Sequence, residues 1–223
     1  DPLGHLAHDR LDFLASLAAG AAPGGARPNL LFILADDLGW ADTTPYGADL
    51  HETPAIERLA RAGVRFTHAY AAAPVCSPTR ASIHTGLYPA RLHMTTWRES
   101  AHADSPDTKL IPAQCEENLP RSPDNLAERL RAAGYFTAHV GKWHLGDAHH
   151  YPEAQGFDVN IGGTEWGAPQ TYFSPYSGNR YYGGEYRYVP GLSGGRPGEY
   201  LTDRLTTKAL EVLDTRPNQP FFL

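Results

Sequence analysis

Continuous apolar runs mark the predicted strands of this chain. The run Leu30–Ala35 contains no polar position, which is typical of a strand buried on both faces of a sheet. The segments Val64–Ala71, Tyr135–Gly141 and Pro220–Leu223 are rich in apolar, aromatic or β-branched residues, and they predict three further strands.

Segments with helical spacing lie between these runs. Their apolar residues recur every three or four positions, and Pro or Gly stands near their ends. The predicted helices run from Thr53 to Gly63, from Ser122 to Gly134 and from Tyr200 to Leu213, and another begins at Cys76. Because strands alternate with helices, the sequence predicts an α/β domain with a mostly parallel sheet sandwiched by helices.

Composition divides the chain into a short leader and one domain. Residues 1–27 combine a helix-prone leader with a Gly- and Pro-rich linker, and residues 28–223 carry the alternating strands and helices. The segment Trp166–Tyr200 is rich in Tyr and Gly and predicts a long aromatic loop region. A domain that ended on the apolar strand Pro220–Leu223 would leave a bare sheet edge, so we expect the fold to be incomplete on its C-terminal side.

The charge balance argues against two classes of partner. The 19 basic and 25 acidic residues give a net charge of −6, which disfavours nucleic acid and anionic membrane surfaces. No apolar run approaches the roughly 18 residues of a membrane-spanning helix. Cys76 and Cys115 are the two cysteines and form no CxxC pair, so they leave the redox compartment open.

Two adjacent acids follow the first predicted strand. Asp36 and Asp37 come directly after Ala35, and ligands of open α/β sheets bind beyond the carboxyl ends of the strands. Hard carboxylates suit Ca²⁺ or Mg²⁺ better than zinc. The alternative is that one acid caps a turn while the other is solvated.

The segment "CSPTR" (76–80) places a thiol at the start of a predicted helix. The helix dipole and Arg80, one turn later, both favour the anionic form of Cys76. Three interpretations stay open from the residues alone: a nucleophilic thiolate, a disulfide with Cys115, or a small buried side chain. His68 and His84 are weak candidates for a partner base, because neither has a recognised spacing from the thiol.

The segment "GKWHLG" (141–146) follows the strand predicted over Tyr135–Gly141. Lys142 and His144 are two residues apart, so an extended backbone would point both to one side. This pair could bind an anion and donate a proton, or it could be a surface lysine and a histidine at the edge of the core. All three clusters are predicted at one rim of the sheet, which favours a single site.

Three stretches resemble, in order and spacing, the motifs of the type I sulfatases, a family of the alkaline-phosphatase-like superfamily. They are "PNLLFILADDLGWADTTPYG" (28–47), "CSPTRASIHTGLYPAR" (76–91) and "GYFTAHVGKWHLG" (134–146). The Cys-x-Pro-x-Arg core followed by Thr85-Gly86 is the most specific part. The resemblance extends over residues 28–223 and implies the N-terminal portion of a sulfatase catalytic domain.

This resemblance implies a modified residue and a metal. A formylglycine-generating enzyme would oxidise Cys76 to an aldehyde, whose hydrate would attack the sulfur of a sulfate ester and later release sulfate by elimination. The implied ligands of Ca²⁺ are Asp36, Asp37 and the modified Cys76, and the residues implied to hold the diol and the sulfate oxygens are Arg80, Lys142 and His144.

The resemblance also implies the substrate class and the cellular location. We expect a sulfated carbohydrate or an aryl sulfate as substrate, and a periplasmic or secreted protein. Aromatic rings of Trp166–Tyr200 could stack on a sugar, although an ordinary packed loop is the alternative. Two further metal ligands, a histidine and a lysine occur later in the chain of family members, so we expect residues 28–223 alone to bind Ca²⁺ poorly and to have negligible activity.

Two other functions stay open at this point. A phosphonate or phosphodiester hydrolase of the same superfamily can share the acids and the aldehyde, although "GKWHLG" favours sulfate. An inactive fragment or binding module would keep Cys76 as a plain thiol.

Overall fold

A parallel sheet organises the part of the chain that the computed structural model describes, namely residues 27–101, 109–216 and 218–223. Its strands are β1 (Phe136–Val140), β2 (Val159–Ile161) and β3 (Phe221–Phe222), in the spatial order β2-β1-β3. Strand β1 is central, with Ala138 opposite Val159 of β2 and Phe136 opposite Phe221 of β3. The strands predicted near residues 135–141 and 220–223 are therefore confirmed.

The helices of the described residues are α1 (Pro54–Ala62), α2 (Cys76–Thr85), the short α3 (Pro89–Leu92), α4 (Leu126–Ala132) and α5 (Leu201–Asp214). Helices α2 and α4 share one core with Trp143 and Phe157, whereas α5 shares another with Phe136 and Tyr176. Short 3-10 turns occur at Thr44–Tyr46, Arg98–Ser100, Ala148–His150, Pro152–Gln155 and Tyr182–Gly184. This arrangement confirms the predicted α/β class.

The described residues divide into two compact units. One is formed by the described parts of Asp1–Phe32 and Ala72–Leu223 and contains the sheet and helices α2 to α5. The other is Ile33–Ala71, in which α1 begins at Pro54 and ends before Gly63, as predicted. The leader helix predicted over residues 1–22 lies outside the described residues, as does most of the linker that follows it.

The first predicted strand forms only an edge pairing. The backbone N–H of Leu30 donates to the carbonyl of Phe221, and that of Phe32 donates to the carbonyl of Leu223, both at 2.7 Å. Leu30 also forms an isolated parallel bridge with Phe222. Its side chains are not buried on both faces, since Leu31 is 58% exposed and Ile33 is 78% exposed. That part of the prediction is wrong, because the pairing partner β3 is only two residues long and the side chains stay exposed.

Two other predicted boundaries differ from the structure. Val64–Ala71 is not a strand: Phe66 is 67% exposed, and β propensity does not hold an extended segment that has no pairing partner among the described residues. Helix α4 begins at Leu126 rather than at Ser122, because Ser122 accepts hydrogen bonds from Asp124 and Asn125 in a turn.

The aromatic segment Trp166–Tyr200 is mainly irregular, as predicted, with isolated bridges between Phe173 and Tyr200 and between Gly178 and Arg187. Across the described ranges, no helix has the length and apolar character that a membrane span requires.

Candidate active site

Helix α2 presents the cysteine of the Cys-x-Pro-x-Arg motif at its first position. Val75 before it is extended (φ −135°, ψ 162°), and the helix continues for ten residues from Cys76. Pro78 is tolerated in the first turn because the backbone N–H groups there have no partner within the helix. Cys76 is partly buried, Cys115 is buried, and both are free thiols, so the structure does not form the disulfide between them.

The arginine of the motif binds the backbone that follows β1. Arg80 is 8% exposed, and its Nη1 donates to the carbonyl oxygen of Lys142 at 2.6 Å. A guanidinium has several donors in a fixed plane, so it can make this bond and others at once. The contact fixes the position of Lys142 relative to the first turn of α2.

Ser77, the variable position of the motif, makes a second connection to the same loop. Its side chain is fully buried, and its Oγ donates to the carbonyl oxygen of His144 at 3.0 Å. The Ser77 Oγ also accepts a hydrogen bond from the backbone N–H of Arg98 at 3.1 Å. One hydroxyl therefore joins the start of α2, the loop after β1 and the Arg98–Ser100 turn.

His144 does not have the extended geometry that the sequence predicted. Strand β1 ends at Val140, and His144 lies in the left-handed region at φ 61°, so the inference that Lys142 and His144 point to one side of a strand is wrong. The backbone N–H of His144 donates to the carbonyl oxygen of Thr164 at 2.9 Å, and the His144 side chain is 2% exposed. Tertiary packing, rather than strand alternation, sets the direction of this imidazole.

The imidazole of His144 has one partnered and one unpartnered nitrogen. Its Nε2 lies 2.5 Å from Oε2 of Glu99, whereas Nδ1 is buried without a hydrogen-bond partner among the described residues. Gly167 packs against the ring so closely that a Cβ there would lie 2.7 Å from Cε1 of His144. The ring is thus held on one edge and against one face.

Glu99 belongs to the site, and sequence reasoning missed it. It lies in the Arg98–Ser100 turn, and its Oε1 accepts the backbone N–H of Gly167 at 3.1 Å. Burial raises its pKa, but the hydrogen bond and charge of His144 outweigh burial and lower the pKa of Glu99 to about 2. No motif or periodicity marks this position, so only the fold brings it to His144.

Two further histidines are partly buried and lie within electrostatic range of Arg80. Burial is the main cause that lowers the pKa of His84 to about 3 and of His139 to about 4, and the charge of Arg80 lowers both further. Their rings lie 4.7 Å and 5.2 Å from Trp143, centroid to centroid. His84, one of the two weak candidates for a partner base, is therefore a side chain packed among aromatic rings. His68, the other candidate, lies in the second unit, with its Nδ1 3.0 Å from Thr67 Oγ1.

The two predicted metal-binding acids lie in the second unit. Asp36 and Asp37 are exposed, and Asp37 adopts a left-handed backbone conformation with φ 54°. Their carboxylates are the donor type that Ca²⁺ takes. Within the described ranges, no group of three or more His, Cys, Asp or Glu could hold a metal ion. The pair therefore has the donor chemistry that suits Ca²⁺, and its role as a metal ligand stays a prediction.

Comparison with known proteins decides the family. A family model described as Sulfatase matches residues 28–223. This chain belongs to the sulfatase family. It is 40% identical to N-acetylgalactosamine-6-sulfatase of Homo sapiens over 159 residues, which cover 70% of this chain and 28% of that protein. It is 42% identical to steryl-sulfatase of Mus musculus over 156 residues, which cover 67% of this chain and 24% of that protein.

The fold of this sulfatase-family chain is also found among solved structures. A crystal structure of Ps i-CgsB in complex with k-i-k-neocarrahexaose matches with a TM-score of 0.68 and 30% identity, over 88% of this chain and 44% of that one. The chain thus spans less than half of this neighbour and 28% and 24% of the two curated relatives. The recognised family and the predicted fold class are both confirmed.

Proposed function

We propose that the protein to which this chain belongs hydrolyses sulfate esters, and that its substrate is a sulfated carbohydrate. One observation carries the proposal: the N-terminal half of α2 is hydrogen-bonded twice to the loop after β1, through Arg80 to Lys142 and through Ser77 to His144. These bonds hold the nucleophile position next to the backbone that bears a cation and an imidazole. Attack on an anionic ester needs such groups, because negative charge develops in the transition state.

Each of these side chains has a role in the proposed reaction. Cys76 stands at the N-terminus of α2, where the helix dipole favours an anionic group. Lys142 is partly buried and would bind a sulfate oxygen with its ammonium group. His144 would accept a hydrogen bond from a hydroxyl of the hydrated aldehyde through Nδ1, the nitrogen with no partner among the described residues. Arg80 would hold Lys142 in position and add positive charge.

The family implies a formylglycine and a Ca²⁺ ion, and the residues present suit both. Formylglycine made from Cys76 would supply a hydrated aldehyde as nucleophile, and Cys76 is a free thiol, as this conversion requires. Asp36 and Asp37 would be two of the about six to eight oxygen ligands that Ca²⁺ takes. The modification requires a formylglycine-generating enzyme as a partner. Periplasmic or secreted location is part of the same family-based inference.

Two features favour a carbohydrate over a small aryl sulfate as substrate. The matched human relative is named for a sulfated amino sugar, and the matched crystal structure contains a neocarrahexaose. In this chain, the aromatic loop exposes the rings of Tyr172, Tyr181 and Tyr186, which are 52%, 52% and 61% exposed. Exposed aromatic faces suit stacking on sugar rings.

The test uses the full-length gene product, co-expressed with a formylglycine-generating enzyme. We expect turnover of an aryl sulfate and of sulfated oligosaccharides, with little turnover of an aryl phosphodiester; the opposite preference would favour the phosphodiesterase alternative. The peptide that contains residue 76 should be lighter than its thiol form. Cys76→Ala should abolish turnover, whereas the matched variant Cys115→Ala should keep it. Turnover by a protein whose Cys76 is wholly an unmodified thiol would contradict the proposal.

A further inference from the structure

Glu99 and His144 form a contact whose geometry assigns the protons of the imidazole. A carboxylate at 2.5 Å accepts a hydrogen bond, so Nε2 of His144 must carry a proton in this contact. In the neutral ring, that leaves Nδ1 as the nitrogen with a free lone pair. Glu99 therefore selects which edge of His144 is available for chemistry.

The other edge of the ring is left without a protein partner. Nδ1 is buried and has no hydrogen-bond partner in the described part of the chain, and the side chain is 2% exposed. A buried polar atom without a partner costs free energy, so such an atom at a candidate site points to a ligand that binds there.

Hydrogen bonds to Glu99 and to its neighbour Arg98 hold this carboxylate in position beside His144. Its second oxygen accepts the N–H of Gly167 at 3.1 Å, and the N–H of its neighbour Arg98 binds Ser77 Oγ at 3.1 Å. Ser77 in turn donates to the carbonyl oxygen of His144. The carboxylate and the imidazole are thus tied together through side chains and through backbone. The low pKa of Glu99, about 2, keeps the acceptor ionised at neutral pH.

We propose that Glu99 is a positioning residue that fixes His144 with a proton on Nε2 and keeps the lone pair of Nδ1 free to accept a hydrogen bond from a hydroxyl of the nucleophile. This inference rests on the proposed sulfatase function. Glu99 acts through His144 and need not contact substrate. A purely structural ion pair would explain the contact at Nε2 but not the buried and unpartnered Nδ1 on the same ring.

The decisive variant is Glu99→Gln. Glutamine has one carbonyl oxygen, whereas Glu99 uses both oxygens as acceptors, so the variant can satisfy either His144 or Gly167 and presents an NH₂ donor to the other. An NH₂ facing the ring favours the tautomer with the proton on Nδ1. We expect kcat on an aryl sulfate to fall about 10- to 100-fold with KM nearly unchanged.

The matched control is Glu128→Gln, which removes the same charge from a carboxylate paired with Arg131 on α4. This control variant should have a kcat within about twofold of that of the parent protein. Both variants should unfold at nearly the same temperature as the parent. If Glu99→Gln does not fold, Glu99→Asp replaces it, since the shorter carboxylate keeps the charge but not the reach to both partners.

A second readout does not depend on activity. In protein labelled with ¹⁵N-histidine, with His144→Gln used for assignment, the parent should show a proton on Nε2 of His144, and Glu99→Gln should shift it to Nδ1 or to a mixture. An unchanged tautomer together with kcat within about twofold of the parent would overturn the inference. Absence of any sulfatase turnover in the parent would instead refute the proposed function, and the NMR measurement would still decide the role of Glu99.

Discussion

The guanidinium of Arg80 donates a hydrogen bond to the backbone carbonyl of Lys142 at 2.6 Å, across 62 positions of sequence. Arg80 belongs to the Cys-x-Pro-x-Arg motif and Lys142 to the "GKWHLG" motif, so this bond joins the two stretches that carry much of the family resemblance. The motifs are separated along the chain, yet each contributes one partner to a single contact.

Replacement of Arg80 by lysine should disrupt this contact while the charge is kept. Lysine has no planar fork of donors, so it cannot reproduce the bonds of a guanidinium that is 8% exposed. We expect a loss of about 1–3 kcal/mol in the free energy of unfolding and a fall of about 10²-fold in sulfatase kcat. Urea denaturation and steady-state kinetics measure the two effects. The exposed Arg91→Lys should change neither, and a fully active Arg80→Lys would contradict the role given to Arg80.

Removal of the Ser77 hydroxyl should destabilise the protein more than removal of a hydroxyl elsewhere in α2. Ser77→Ala leaves the N–H of Arg98 and the carbonyl of His144 without their partner, and an unsatisfied buried group costs about 1–3 kcal/mol. Ser82 donates only to Pro78 one turn earlier in the same helix, so Ser82→Ala should cost less. Urea denaturation of both variants compares them. Equal midpoints would mean that the Ser77 network contributes no stability.

A methyl group at Gly167 should displace the imidazole of His144. Its Cβ would lie 2.7 Å from Cε1 of His144, well inside normal contact distance, and a side chain that is 2% exposed has little room to move. We expect Gly167→Ala to lower kcat and to weaken the Glu99 contact, seen as a changed ¹⁵N shift of His144. Gly63→Ala is the control, because its Cβ would meet its nearest neighbour at 3.4 Å. A Gly167→Ala protein with parental kcat and an unchanged ¹⁵N shift would show that the ring is not tightly held.

Acid should destabilise the fold through two histidines. Burial lowers the pKa of His84 to about 3 and that of His139 to about 4, whereas both titrate near 6.5 in an unfolded chain. The unfolded state therefore binds more protons below about pH 6.5, so their contribution to stability is complete above that pH and is lost as pH falls towards 4 and 3. Urea denaturation between about pH 7.5 and about pH 4.5, at intervals of about one pH unit, measures this loss as a falling midpoint concentration of urea.

The histidine variants provide the comparison for that pH series. His84→Gln combined with His139→Gln should flatten the dependence of the free energy of unfolding on pH, since neither glutamine titrates. His149→Gln, at an exposed position, should leave the slope unchanged. A double variant with the parental slope would mean that other groups control the acid sensitivity.

Hydrophobic periodicity correctly predicted those strands and helices that also have a pairing or packing partner in the structure. Strand β1, strand β3 and helix α5 were predicted within a residue or two, because their apolar spacing matches the packing on both sheet faces. Val64–Ala71 has similar β propensity but pairs with no described strand, and it is not extended into a sheet. Strand formation depends on a partner that a local window of sequence does not contain.

The residue types and their spacing by themselves determined the α/β class, the Cys-x-Pro-x-Arg motif and the family to which the chain belongs. Only the tertiary structure decided that His144 leaves the extended conformation, that Ser77 connects three segments and that Glu99 binds the imidazole. The physical reason is that motif chemistry is encoded over a few neighbouring residues. The orientation of a buried side chain depends instead on hydrogen-bond partners that lie 45 to 67 positions away in the sequence.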